Sequence, residues 1–284
     1  MSENIFNYEE FLKKEGYTSK TIHVYTKEIF YFLDWLKEEY KDEINLEKID
    51  YKHVKDYEDY LNNEREVTNI TLNKKRQSLF NFYKWLLEKG KVDENHFAYF
   101  RVMKVENRRK TLQYLKIVEI EKIKDVFERK LIWKKEWKRY RDKAMFTVIY
   151  DLALKVQEVV DLQLDDIDRT NMIIHVKGNR KREIPLTEET LSVLGDWLQF
   201  NIRKDSSYVF TSQKSDHITQ NTIHIVITKL REVSGVKDLT ANSLRNTRIL
   251  NWRKDGLGTD EVKRRAGHRN TITTRYYFDK YKED

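Results

Sequence analysis

Apolar positions recur with a 3.6-residue period over most of the chain. Between residues 18 and 40, TSKTIHVYTKEIFYFLDWLKEEY puts Ile22, Tyr25, Ile29, Phe32, Leu33 and Leu36 on one face of a helix, with Ser19 placed to cap it. The run TNITLNKKRQSLFNFYKWLLEK (68–89) repeats the pattern with Leu72, Leu79, Phe82, Tyr83 and Leu86. Shorter helices fit near 5–15 and 51–63, so residues 1–98 read as one all-helical domain. From 99 to 114, YFRVMKVENRRKTLQY breaks the period and is strongly basic, which predicts an interdomain linker. Helical patterns return near 116–130 and 136–154. The period then falls to two in MIIHV (172–176) and REIPL (182–186), which flank KGNRK and predict a hairpin turning at Gly178-Asn179. YVFTS (208–212) is expected to add a third short strand, and helical spacing then continues to the end. The expected fold class is mainly α with a small β-sheet, the second domain spanning 115–284.

Composition supports that pattern and narrows the partners. The 284 residues include one proline and eight glycines, so long helices meet few breaks. Charged residues make up 36% of the chain and aromatics 13%, a mix that folds and stays in water. A net charge of +8 and a pI of about 9.2 favour a polyanionic partner, nucleic acid first. With no cysteine there is neither a disulfide framework nor a thiolate metal site. Nothing at the N-terminus resembles a signal peptide and no apolar run reaches spanning length, so a cytoplasmic, nucleoid-associated protein without a membrane role is expected.

Several chemistries are set aside at once. The chain has no G-x-x-x-x-G-K-[ST] loop, no G-x-G-x-x-G and no H-E-x-x-H, and its seven histidines lack metal-ligand spacing. LDDID (164–168) groups three carboxylates and reads as a solvated turn before the hairpin, not as a magnesium site. No metal or cofactor is expected. The remaining polar motifs form an ordered set: LALKVQEV (152–159), DDID (165–168), VKGNRKREIPL (176–186), NSLRNT (242–247) and AGHRNTITTRYY (266–277). Their order and spacing resemble the tyrosine recombinase (phage integrase) family, whose motifs run T-G-L-R-x-S-E-L, G-K-G-x-K-x-R-x-x-P-L, H-x-L-R-H-T and L-G-H-x-x-x-x-T-T-x-x-Y. KTIHVYTKEIFYFLDWL and TLNKKRQSLFNFYKWLL are similar to the two signature helices of the family's SAM-like core-binding domain. The resemblance covers nearly the whole chain. It implies a core-binding domain followed by a mixed α/β catalytic-type domain.

The resemblance also implies roles. Tyr277 would be the nucleophile that attacks phosphorus and forms a 3′-phosphotyrosine, and Lys177 the acid that protonates the leaving 5′-oxygen. Arg245 and His268 would hold the phosphate as charge builds on its oxygens. Tyr276, about 100° around the helix, is expected to pack. Two positions depart from the pattern. Lys155 stands at the first arginine, where an ammonium offers a point contact in place of a bidentate fork. Asn242 stands at the histidine of H-x-L-R, and asparagine exchanges no proton near neutral pH. Only seven residues follow Tyr277, where relatives usually carry a further helix that docks on a neighbouring protomer.

A DNA clamp would use phosphate contacts from Arg101, Lys104, Arg108, Arg109 and Lys110 in the linker, with Arg180 at the hairpin. Asn73, Lys74 and Arg76, with Lys20 and Thr21, are the candidates for DNA contact in the first domain, and Gln220 and Asn221 in the second. The departures at Lys155 and Asn242 lead to the expectation of a recombination-deficient, sequence-specific DNA binder, such as a repressor in a phage or mobile element. The first alternative is an active site-specific recombinase. The second is an accessory factor that needs a phage or mobile-element partner protein. A homo-oligomer on double-stranded DNA is a further candidate partner, although lack of the further helix after Tyr277 would weaken assembly.

Overall fold

The computed structural model describes residues 2–41, 45–63, 65, 67–100, 102–104, 112–130, 132–178, 180–200, 203 and 205–281. The chain divides into two compact units, Met1–Arg108 and Arg109–Asp284. The first is built from α1 (Ser2–Lys14), α2 (Ser19–Tyr40), α3 (Tyr51–Asn63) and α4 (Asn69–Glu88). Threonines start two of these helices: Thr18 caps α2 and Thr68 caps α4, each hydroxyl accepting from the backbone N–H three residues on. The cap of α2 is therefore one residue earlier than the expected Ser19, which is already helical while Thr18 is extended. Aromatic rings fill the core of this unit. Phe32, Phe82, Tyr83 and Phe97 are buried, with Phe32 meeting Phe97 edge-on at a centroid distance of 5.5 Å. Full burial of one such ring stabilises by about 1.5–3 kcal/mol.

The second unit holds α5 (Ile117–Glu128), α6 (Glu136–Asp151), α7 (Val156–Val160), β1 (Ile167–Asp168), β2 (Ile173–Val176), β3 (Arg182–Pro185), α8 (Glu188–Gln199), α9 (Gln220–Ser234), α10 (Ala241–Lys254), α11 (Thr259–Ala266) and α12 (Thr271–Tyr281). The strands form an antiparallel sheet in the order β1-β2-β3, with Ile174 opposite Ile184 and Val176 opposite Arg182. Alternation buries Ile174, Val176 and Ile184 on one face. Arg182 shares that face and is buried too, which an apolar-in rule does not anticipate. Gly178 in the connection adopts a φ of +93°, open to glycine and costly for other residues, whereas Asn179 lies outside the described residues.

Two expectations are corrected here. Residues 208–212 are not a strand; the third strand is β1. Segment 207–209 meets 162–164 through two backbone bonds, Leu164 N–H to Ser207 O (2.8 Å) and Val209 N–H to Leu162 O (2.9 Å), and pairing stops there. Val209, Phe210 and Thr211 enter the core from irregular backbone instead. LDDID is also not simply a solvated turn. Asp166 is buried, its Oδ2 accepting from the Gln163 N–H (2.9 Å) and its Oδ1 lying 2.8 Å from the Lys177 ammonium. Among the described residues no cluster of carboxylates and histidines could hold a metal ion. No helix among them is long and apolar enough to cross a membrane.

Candidate active site

Helix α10 supplies the innermost charge. Thr240 and Ser243 cap its first turn reciprocally. Arg245, one turn further on, is only 7% exposed. Its guanidinium donates to the carbonyls of Ala153 and Ala266, so segments after α6 and at the end of α11 both grip it. Burial lowers its pKa from the ordinary arginine value to about 10, with Arg182 adding to the fall and Glu158 opposing it. Ala153 presents its carbonyl from a left-handed backbone (φ +49°), a conformation that costs a non-glycine residue about 1–2 kcal/mol. Glycine stands there in the motif this segment resembles.

Lys155 caps α7 with its backbone. Its N–H donates to Glu158 Oε2 (2.8 Å), while its half-exposed ammonium lies 3.8 Å from Glu158 Oε1. Glu158 in turn receives both terminal nitrogens of Arg182, each at 2.8 Å, and Arg182 Nε donates to the carbonyl of Arg265 (2.7 Å). Burial disfavours the charge on Glu158, but the bidentate bonds from Arg182 prevail and hold its carboxyl below the usual range. Burial also lowers the pKa of Lys155; Glu158 opposes the fall, while Arg245, Arg182 and Arg180 reinforce it. Arg182 was not among the sequence candidates. The signal for it was the arginine of the hairpin motif, which fixes Glu158 and through it the start of α7.

His268 follows Gly267, the left-handed residue that ends α11. Its Nδ1 lies 2.9 Å from the hydroxyl of the buried Thr274, the second threonine of the TT pair. Its other face stacks on Tyr277, with centroids 5.5 Å apart and planes 23° from parallel. Burial, followed by the charges of Arg245, Lys155 and Arg182, pushes its pKa down to about 4, so the imidazole is neutral near pH 7. Tyr277 is 8% exposed, and its hydroxyl donates to Asn246 Oδ1 at 2.7 Å. Burial raises its pKa while Arg245 opposes the rise. Tyr276 is half-buried against the core, in the packing role expected of it. Beside His268 an open cavity of about 320 Å³ is lined by Arg180, Lys181, Arg182, Lys263 and Arg264 with a single carboxylate, Asp260, a mainly cationic wall of the kind an anion fits.

Lys155, Arg245, His268 and Tyr277 thus come together. Lys177 is held elsewhere, its ammonium donating to Gln163 Oε1 (2.7 Å) and pairing with Asp166 (2.8 Å). Asn242 is exposed in the first turn of α10 and forms no side-chain hydrogen bond among the described residues. Of the candidate DNA contacts, Lys20, Lys74, Lys104, Arg180 and Asn221 are exposed. Asn73 is committed at both ends of its carboxamide to the backbone of Met103 (2.8 and 2.9 Å). Arg76 lies over the Phe100 ring (4.9 Å) and 3.5 Å from Glu58. Thr21 bonds Thr18 in the cap of α2, and Gln220 donates to Gln157 (2.6 Å). Asn73, Arg76, Thr21 and Gln220 are therefore engaged within their own units in the free chain. Arg101, Arg108, Arg109 and Lys110 lie outside the described residues.

Residues 113–284 match the model of the Phage integrase family, and residues 6–91 match that of the phage integrase N-terminal SAM-like domain. The chain is 26% identical over 289 residues to tyrosine recombinase XerC of Leptospira interrogans, covering 100% of this chain and 90% of the relative. It is 24% identical over 277 residues to the TnP I resolvase of Bacillus thuringiensis, covering 95% and 93%. In fold it resembles a lambda integrase dimer bound to a COC' core site, with a TM-score of 0.74 at 19% identity, covering 100% of this chain and 78% of that one. It also resembles the XerH site-specific recombinase in a post-cleavage complex with a palindromic difH substrate, with a TM-score of 0.72 at 18% identity over 93% and 77% of the two chains.

Proposed function

The chain belongs to the phage integrase family, and from that premise we propose that it is a site-specific DNA recombinase that cuts and rejoins duplex DNA through Tyr277. The observation that carries this reading is the gathering of Lys155, Arg245 and Tyr277 about His268, whose ring is stacked on the phenol. A phosphoryl transfer of this kind needs a nucleophile and fixed cationic donors around the phosphate. Tyr277 Oη gives up its proton and bonds to phosphorus while the bond to the 5′-oxygen breaks, leaving a 3′-phosphotyrosine and, once the 5′-oxygen takes up a proton, a free 5′-hydroxyl. Arg245 is oriented by two backbone carbonyls, so its position is set before DNA arrives. His268 has Nδ1 engaged by Thr274, which leaves Nε2 for the phosphate. Lys155 supplies a third positive charge. Lys177 serves as acid only once it leaves Asp166 and Gln163, a release that binding of the DNA backbone at the hairpin would drive by competing for its charge.

Relatives matched over nine-tenths or more of this chain are named recombinase and resolvase, which favours this reading over a repressor or an accessory factor. The solved neighbours bound to DNA, one of them as a dimer, support duplex DNA as the substrate and assembly of copies on it. The departures at Lys155 and Asn242 then slow the reaction without removing the nucleophile or Arg245. The test is covalent capture. DNA fragments that the protein retains are rebuilt as nicked duplexes, incubated with the full chain and resolved in SDS. Wild type is expected to form SDS-resistant complexes and Tyr277→Phe none. Retention of the same duplexes without any such complex would return the chain to the DNA-binding regulator.

A further inference from the structure

The Tyr277 hydroxyl has a partner that the recombination chemistry does not require. Asn246 follows Arg245 on α10, and its Oδ1 accepts the phenolic hydrogen at 2.7 Å. Its Nδ2 donates to the backbone carbonyl of Gln113 at 2.9 Å. A carbonyl only accepts, so this second bond fixes which way the carboxamide faces: nitrogen to Gln113 and oxygen to Tyr277. The phenol must then be the donor. A neutral amide is no base and leaves the proton where it is. An accepted hydrogen bond of this kind favours the phenol over the phenolate, because an ionised oxygen would face the amide oxygen with no proton between them.

We propose that Asn246 is a positioning residue for Tyr277, holding its hydroxyl against α10 in the free chain. The consequence for catalysis rests on Tyr277 being the nucleophile; the restraint itself does not. Tyr277 is 8% exposed in this pose, between the His268 ring and Asn246. Attack on a phosphate requires the hydroxyl to leave Asn246, so the restraint sets how readily the tyrosine reacts before a substrate is in place. Gln113, which orients Asn246, lies where the chain enters the second unit.

The restraint is read without DNA. Tetranitromethane nitrates tyrosines in proportion to their exposed phenolate, and peptide mass spectrometry resolves Tyr277 from its neighbour Tyr276, which serves as the internal reference. The full chain is compared with Asn246→Leu, which removes the acceptor, and Asn246→Asp, which keeps an acceptor for the phenol while giving up the bond to the Gln113 carbonyl. The expected result is a rise of about fivefold to tenfold in the Tyr277/Tyr276 nitration ratio for Asn246→Leu, the size of one net hydrogen bond, and no rise for Asn246→Asp. An unchanged ratio in Asn246→Leu overturns the proposal, and so does an equal rise in both variants, which would reflect loosened packing. If Asn246→Leu fails to fold, Asn246→Ser shortens the side chain out of reach of Tyr277 and is read the same way. Covalent capture on nicked duplex is run beside it. The restraint predicts faster adduct formation by Asn246→Leu than by wild type, and slower formation contradicts it. Absence of adducts in both, with the nitration contrast intact, would refute the recombinase reading and leave the restraint standing.

Discussion

A lysine at position 155 carries the charge of an arginine without its fork. Its ammonium stands 3.8 Å from Glu158 and half in solvent, near Arg245 but with a single point of contact to offer a phosphate. Lys155→Arg is therefore expected to raise the rate of covalent adduct formation about tenfold or more in single-turnover assays, since one missing transition-state donor costs about a hundred- to a thousandfold. An unchanged rate would mean that the ammonium suffices. His268 carries a different prediction. Its folded-state pKa of about 4 lies below the ordinary 6.5, so the unfolded chain takes up a proton first. The stability tied to neutral His268 is full above 6.5 and is lost as the pH falls toward 4. In denaturant unfolding between those limits, wild type is expected to lose more stability than His268→Gln; parallel losses would contradict the assignment. Among single residues, the motif positions Arg245, His268 and Tyr277 were legible in the sequence because chemistry restricts their type. Arg182, though it stands at the arginine of the hairpin motif, and Asn246 were not picked out. What matters about them is a partner 24 and 31 residues away, and spacing along the chain does not reveal it.

At the scale of elements, the end of α11, the hairpin and the site meet at Gly267. Its left-handed φ of +63° closes the helix, and a Cβ there would stand 3.0 Å from Arg182 Nη1. Gly267→Ala therefore adds a tight contact to the backbone cost, and the Arg182 guanidinium, held by Glu158 and the Arg265 carbonyl, must shift by a few tenths of an ångström. Gly256 also has positive φ (+88°), but nothing lies within 4 Å of its Cβ position, so Gly256→Ala carries the backbone cost alone. Gly267→Ala is expected to destabilise by roughly 1–3 kcal/mol more than Gly256→Ala in denaturant unfolding; equal costs would show that Arg182 yields freely. The helices themselves were readable to within a few residues, because a buried stripe repeats every turn and α2 and α4 repeat it over five turns or more. The small sheet was harder. Two-residue β1 carries no periodicity, and YVFTS has the composition of a strand but buries its apolar side chains from irregular backbone. Asp166 looked like a solvated turn residue because its partner Lys177 reaches it only through the fold of the hairpin.

Across the whole molecule, the sequence carried the division into a helical unit and a mixed one, and its positive charge pointed to DNA. The choice between regulator and recombinase was not legible, because two substitutions weigh against catalysis residue by residue while Arg245, His268 and Tyr277 stand together in the assembled site. That choice rests on one bond. Adducts formed on nicked duplex are digested with trypsin and nuclease, and the peptide Tyr276–Lys280 is fragmented by mass spectrometry. A nucleotide phosphate carried on Tyr277 is the predicted result. Its absence from that peptide, or its presence on Tyr276, would contradict the account.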